Sequence, residues 1–140
     1  MTKVMIDTNV IIDYLADRIP FADTAEKVLD LCEKNELNGV LSASAITDIY
    51  YIMHKMIGRE KTLESIKLLF SVLEIAEVGK KDLLQAMKAA KMDFEDALAA
   101  VCARRVKAEY ILTRNTSVFL NSPVITMTPE DFLSKLYPDS

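Results

Sequence analysis

Short apolar runs rich in branched residues alternate along this chain with longer stretches of helical periodicity, and few architectures accommodate that alternation. Runs at 3–6 (KVMI), 39–42 (GVLS), 73–78 (LEIAEV), 109–112 (EYIL) and 124–126 (VIT) read as strands. Helical patterns fall between and around them at 9–17, 22–36, 44–57, 60–71, 80–91, 95–107 and 130–136. Apolar strands separated by helices belong to a parallel sheet covered on both faces, so the class is α/β. Punctuation agrees: Pro20 precedes a helix, Gly39 follows one, Gly58 separates two, Gly79 ends a strand, and Thr128 reads as an N-cap with Pro129 in the first turn.

A chain of 140 residues buries a core without needing disulfide or metal staples, and it fits one compact domain over 1–140. There is no internal repeat and no linker, and the helical pair near 43–71 is an excursion suited to an arm or a dimer surface. At 51% hydrophobic and 27% charged residues the composition is globular. Only three apolar positions separate Lys3 from Asp7, too few for a signal-peptide core, and no later run approaches a membrane span; the expectation is a cytoplasmic protein. Cys32 and Cys102 lack metal or redox spacing and read as reduced, buried thiols.

Net charge is −4, from 17 basic and 21 acidic residues, which argues against broad electrostatic capture of nucleic acid. It does not exclude a nucleic-acid enzyme, since acids gathered in one pocket lower the net charge without making the whole surface acidic. Basic groups cluster at Arg104, Arg105 and Lys107, at Arg59 and Lys61, and at Lys80 and Lys81, each of which also reads as an ordinary solvated helix face.

The acids carry the functional signal. Asp7 ends the first, central strand in KVMIDTNVIID, at the carboxyl edge of the sheet where α/β proteins bind ligands. Asp7, Thr8 or Asn9 equally reads as the cap of the following helix. Asp48 lies inside the first turns of a helix that Ser42 or Ser44 caps, among Ile and Tyr residues where a carboxylate needs water or a partner. In MDFEDALAAVCARR, Asp93 and Asp96 are neighbours on one helix face, either as two acids of a site or as an N-cap and an acid at the third helical position. Thr113, Arg114 and Asn115 follow another strand. Such an oxygen-rich set suits Mg²⁺ or Mn²⁺. The single histidine, His54, reads as a helix surface residue.

With Asp7-Thr8-Asn9, the Thr47-Asp48 helix, Asp93-Phe94-Glu95-Asp96-Ala97-Leu98 and Thr113-Arg114-Asn115 in this order, the chain resembles the PIN domain family of metal-dependent nucleases over roughly residues 3 to 135. The resemblance implies a three-layer α/β/α sandwich with four or five parallel strands. It implies Asp7, Asp48 and Asp96 as principal ligands of Mg²⁺ or Mn²⁺ and as catalytic acids, and Asp93 as a further catalytic acid of the same site, a metal ligand or a support to the others. Thr8, Asn9, Thr113 and Asn115 would position the acids or coordinate through water, with Arg114 supporting the site or facing substrate.

The activity implied is hydrolysis of phosphodiester bonds in RNA, or in structured nucleic acid, leaving 3′-hydroxyl and 5′-phosphate ends. Small PIN proteins of this size resemble the ribonuclease toxins of toxin-antitoxin pairs, which dimerise and are silenced by an antitoxin protein. One position departs from the pattern: many members carry Asp before the Phe that follows the Thr-Arg-Asn motif, and this chain has Val118 before Phe119. Val118 favours the alternative of a PIN-like module that binds RNA or protein without cleaving. A phosphotransfer domain using Asp7 as nucleophile is disfavoured, because its signature places an acid where this chain has Asn9.

Overall fold

The structure, a computed structural model, describes residues 1–89 and 91–138. Five parallel strands form one sheet: β1 (Lys3–Ile6), β2 (Asn38–Ser42), β3 (Glu74–Ala76), β4 (Tyr110–Leu112) and β5 (Ile125–Met127), in the order β3-β2-β1-β4-β5. The helices are α1 (Thr8–Leu15), α2 (Ala22–Glu33), α3 (Ala43–Ile57), α4 (Arg59–Val72), α5 (Lys80–Ala86), α6 (Phe94–Arg105) and α7 (Pro129–Leu136), and a 3₁₀ turn spans Thr116–Phe119. The sheet register sets Met5 beside Val40 on one side and Ile111 on the other, which puts β1 at the centre.

Because successive strand side chains point to opposite faces, β1 supplies two cores. Val4 and Ile6 join a cluster with α1, α2, α3, α4 and α7, built around Ile11, Ile12, Leu41, Ile49 and Phe132. Met5 joins Val40, Ile111, Ala100, Cys102 and Ala103 on the α5–α6 side. These are the two faces of the expected sandwich. Ala100 and Ala103 let α6 lie close to the sheet. Gly39 does the same for β2, since a Cβ there would stand 2.6 Å from Cys32 Sγ and 2.7 Å from Leu73 Cδ2.

Local chemistry explains the boundaries. Ser42 caps α3 by accepting the Ala45 N–H at 3.3 Å, Thr128 caps α7 by accepting from Asp131 N–H at 3.0 Å, and Pro129 opens that helix. Gly58 turns the chain from α3 into α4 at φ 85°, a conformation that costs glycine little. Two expectations need correction. The strand expected at 73–78 pairs only over Glu74–Ala76, and the helix expected at 80–91 ends at Ala86. Past the buried Ala86 the exposed Met87 offers no core contact, and the chain tightens into i→i+3 bonds from Lys88 to Gln85 and from Ala89 to Ala86. Position 90 of that expected helix lies outside the described residues. Among the described residues, no helix is long and apolar enough to cross a membrane.

Candidate metal and nucleic-acid site

Asp7 stands where β1 gives way to α1. Its N–H still bonds to Leu112 O of β4 at 2.9 Å, as if the strand continued, while its side chain turns to cap the helix. Oδ1 accepts the Thr8 N–H at 2.9 Å and Oδ2 accepts the Thr113 hydroxyl at 2.8 Å. The cap and the candidate site acid are thus the same carboxylate, oriented by two donors. Burial pushes its pKa up, the bonds from Thr113 and Thr8 hold it back, and repulsion from Asp48 adds to the rise.

The carboxyl edge of the sheet opens into a cleft of about 590 Å³ beside Asp7. Three elements bring Asp7, Asp48 and Asp96 to its walls: the end of β1, the second turn of α3 and the first turn of α6. Burial raises the pKa of Asp48. Asp96 is pushed up to about 6, first by burial and then by the charges of Asp7, Asp93 and Glu95. Among the described residues, none of these carboxylates has a lysine, arginine or histidine within ion-pair distance. Like charges in a half-buried cleft with no cation from the chain make a site whose charge is offset only from outside.

The donors fit a hard divalent cation. They are all oxygens, joined at the walls by Ser42, Ser44 and Thr47. Among the described residues, no three acidic, thiol or imidazole groups are gathered tightly enough to ligate one ion together. Mg²⁺ requires less, because it dehydrates reluctantly and is held by one or two carboxylates with water in the remaining positions.

The other expected residues separate. Asp93 is the N-cap of α6 but makes no side-chain cap bond, and it is exposed outside the cleft lining, where its charge still reaches Asp96. Thr8 lines the cleft; Asn9, Thr113 and Asn115 form a hydrogen-bonded layer behind Asp7. Arg114 turns away from the acids. It forms a two-bonded pair with Asp13 and lies 4.1 Å over the Phe21 ring, on the wall of a different cavity of about 580 Å³. Sequence reasoning passed over Asp13, which is 1% exposed, and Glu95, which lines the acid cleft. Glu95 carried a usable signal, being beside Asp96 in the first turn; Asp13 did not, since its partner lies a hundred residues away. Val118 packs onto the α5–α6 core rather than lining the cleft. His54 is half-buried, its ring stacked on Tyr50 at 4.9 Å.

A family model described as PIN domain matches residues 3–117. The chain belongs to the PIN domain family. No curated protein sequence matches this PIN domain significantly. Solved structures give the same fold. VapBC2 from Rickettsia felis, bound to a promoter DNA fragment, is 20% identical with a TM-score of 0.70, covering 91% of this chain and 98% of that one. VapBC from Salmonella typhimurium, bound to DNA, is 17% identical with a TM-score of 0.71, covering 92% and 99%. VapC20 from Mycobacterium tuberculosis, a Sarcin-Ricin loop cleaving toxin, is 12% identical with a TM-score of 0.69, covering 87% and 96%. At these identities the likeness is one of fold.

Proposed function

We propose that this PIN domain is a Mg²⁺- or Mn²⁺-dependent ribonuclease, and that it is the toxin of a toxin-antitoxin pair. The observation that carries the nuclease reading is the convergence of Asp7, Asp48 and Asp96 on one cleft at the carboxyl edge of the sheet, with no basic side chain among the described residues paired to them. The toxin reading draws on the structural neighbours, among them toxin-antitoxin complexes and a toxin that cleaves the Sarcin-Ricin loop.

In this reading Asp7, Asp48 and Asp96 hold the cation, and Asp93 and Glu95 add negative potential that draws it in. A divalent ion bound there supplies Lewis-acid activation of water and positive charge against the phosphate. Asp7 has its carboxylate plane fixed before any ligand arrives, which removes reorganisation from the reaction. Tyr51 and Phe94, 65% and 46% exposed on the cleft walls, offer faces on which unpaired bases stack. Residues 1–140 act as one unit in the cytoplasm, as a homodimer controlled by an antitoxin protein. The α3–α4 pair, with Met56, Leu68 and Phe70 exposed, is the surface offered to another chain.

The test is cleavage of a mixed RNA pool by wild type and Asp7→Asn, each with Mn²⁺, Mg²⁺ or EDTA. Metal-dependent cuts by wild type are expected, falling by on the order of 10³-fold in Asp7→Asn, since a ligand's share of several kcal/mol of charge stabilisation is lost. Absence of both cleavage and metal binding in wild type turns the assignment to a binding module.

A further inference from the structure

Asn9 and Asp13 stand four residues apart on α1 and so share one face, and that face meets the loop leaving β4. Asn9 grips the loop near its backbone: Oδ1 accepts the Arg114 N–H at 3.4 Å, and Nδ2 donates to Thr113 Oγ1 at 3.3 Å. Asp13 grips the loop's side chain, accepting Arg114 Nε at 2.5 Å and Nη2 at 3.1 Å on its two oxygens. The Phe21 ring, 4.1 Å from the guanidinium carbon, backs the fork on one face.

The consequence falls on one hydrogen. Thr113 is fully buried, and its hydroxyl oxygen accepts from Asn9 and from the Asn115 N–H at 3.1 Å. With both acceptor positions taken, the hydroxyl hydrogen is committed to Asp7 Oδ2 at 2.8 Å. The polarity of the bond to Asp7 is therefore set by what holds the loop, which is tied to β5 by Thr113 N–H to Met127 O at 3.0 Å and to α1 by the charged pair of Arg114 with Asp13.

We infer that Asp13 and Arg114 are a positioning pair: by locking the β4 loop to α1, they hold Thr113 against Asp7 and fix that carboxylate for a divalent cation. The inference rests on the metal-binding reading of Asp7. Neither residue is a ligand; both act through Thr113. The planar fork matters as much as the charge, because two parallel bonds fix the angle of the loop as well as its distance, which an ammonium cannot do.

The experiment is calorimetric titration of wild type, Arg114→Lys and Asp13→Asn with Mn²⁺, with Tm in EDTA recorded for each. Arg114→Lys keeps a positive charge beside the buried carboxylate and so keeps the fold, yet it is expected to weaken Mn²⁺ binding about tenfold, the low end for loss of a group that orients a ligand. Asp13→Asn is expected to weaken it at least as much, and the double variant no further than the worse single one. Wild-type Mn²⁺ affinity in both single variants, with only Tm lowered, overturns the inference and leaves the pair as a tie between helix and loop. A wild-type isotherm without Mn²⁺ binding overturns the metal reading itself, and the inference with it.

Discussion

Asp82 and Asp96 are each the third residue of a helix, α5 and α6, and the two helices pack against each other. The positive helix end favours both charges equally, yet their environments push them in opposite directions. Asp82 is buried, accepts the Gly79 N–H at 3.0 Å and pairs with Arg105 Nε at 2.9 Å; the backbone bond first, and Arg105 with it, lowers its pKa. Among the described residues Asp96 has no basic partner, and burial together with Asp7, Asp93 and Glu95 pushes it up to about 6. Helical position does not separate an acid that the chain pairs from one that it leaves in the cleft. What separates them is whether the chain supplies the cation. Asp13, clamped by Arg114, stands with Asp82; Asp7 and Asp48 stand with Asp96.

Asp82→Ala should break the structural side of this comparison with the largest effect on stability. It removes a helix-end bond and a charge-assisted bond together, and it frees Arg105, whose Nη2 also bonds to Glu77 O. The expected loss is about 3 kcal/mol by chemical denaturation, unchanged by Mn²⁺. Its pH signature follows from a folded pKa below 3.8: the contribution is present above that value and fades as acid protonates the folded carboxyl, so the wild-type and Ala curves converge only at low pH.

Val118→Asp asks whether any acid at the sheet's carboxyl side joins the site. The family resemblance makes Val118 look like a missing ligand, but the 3₁₀ turn sets it half-buried against the core containing Ala100, Ile111 and Phe119. A carboxylate introduced there loses apolar contact. The expected outcome is destabilisation of about 2 kcal/mol with Mn²⁺ affinity unchanged, read by denaturation and calorimetry. A gain in Mn²⁺ affinity would place the turn beside the cation after all.

These two sites also mark where sequence reasoning succeeds and where it stops. The alternation of short strands and long helices, with Gly58, Ser42, Thr128 and Pro129 as punctuation, carries the order of the elements because those signals are local. The place of Asp7 at the edge of the sheet was legible for the same reason: it ends an apolar run that is buried. The partners were not legible. Nothing near Asp13 in sequence announces Arg114, and nothing near Asp82 announces Arg105, because each pair is made by the fold. The direction Arg114 takes out of its loop is likewise decided by α1, which the Thr113-Arg114-Asn115 motif does not contain.

The smallest effect is the most discriminating, because its sign runs against ordinary intuition. Asp96 holds its proton more tightly folded, near 6, than its unfolded value of 3.8. Folding without a cation therefore loses stability as pH rises from about 3.8 to about 6, and stays at the lower level above that. Asp96→Asn removes the ionisation and keeps the shape, so in EDTA at pH 7 the variant should melt higher than wild type, by roughly 3 °C if the relief is about 1 kcal/mol. In the metal-binding reading proposed above, millimolar Mn²⁺ should reverse the order, since wild type gains the stabilisation of a bound ion and the variant gains less. Scanning calorimetry of both proteins at pH 4, 5, 6 and 7 checks each half separately. A wild type that melts higher than Asp96→Asn even in EDTA would mean that Asp96, like Asp82, already has what it needs from the chain, and the division between paired and unpaired acids would fail at its most exposed point.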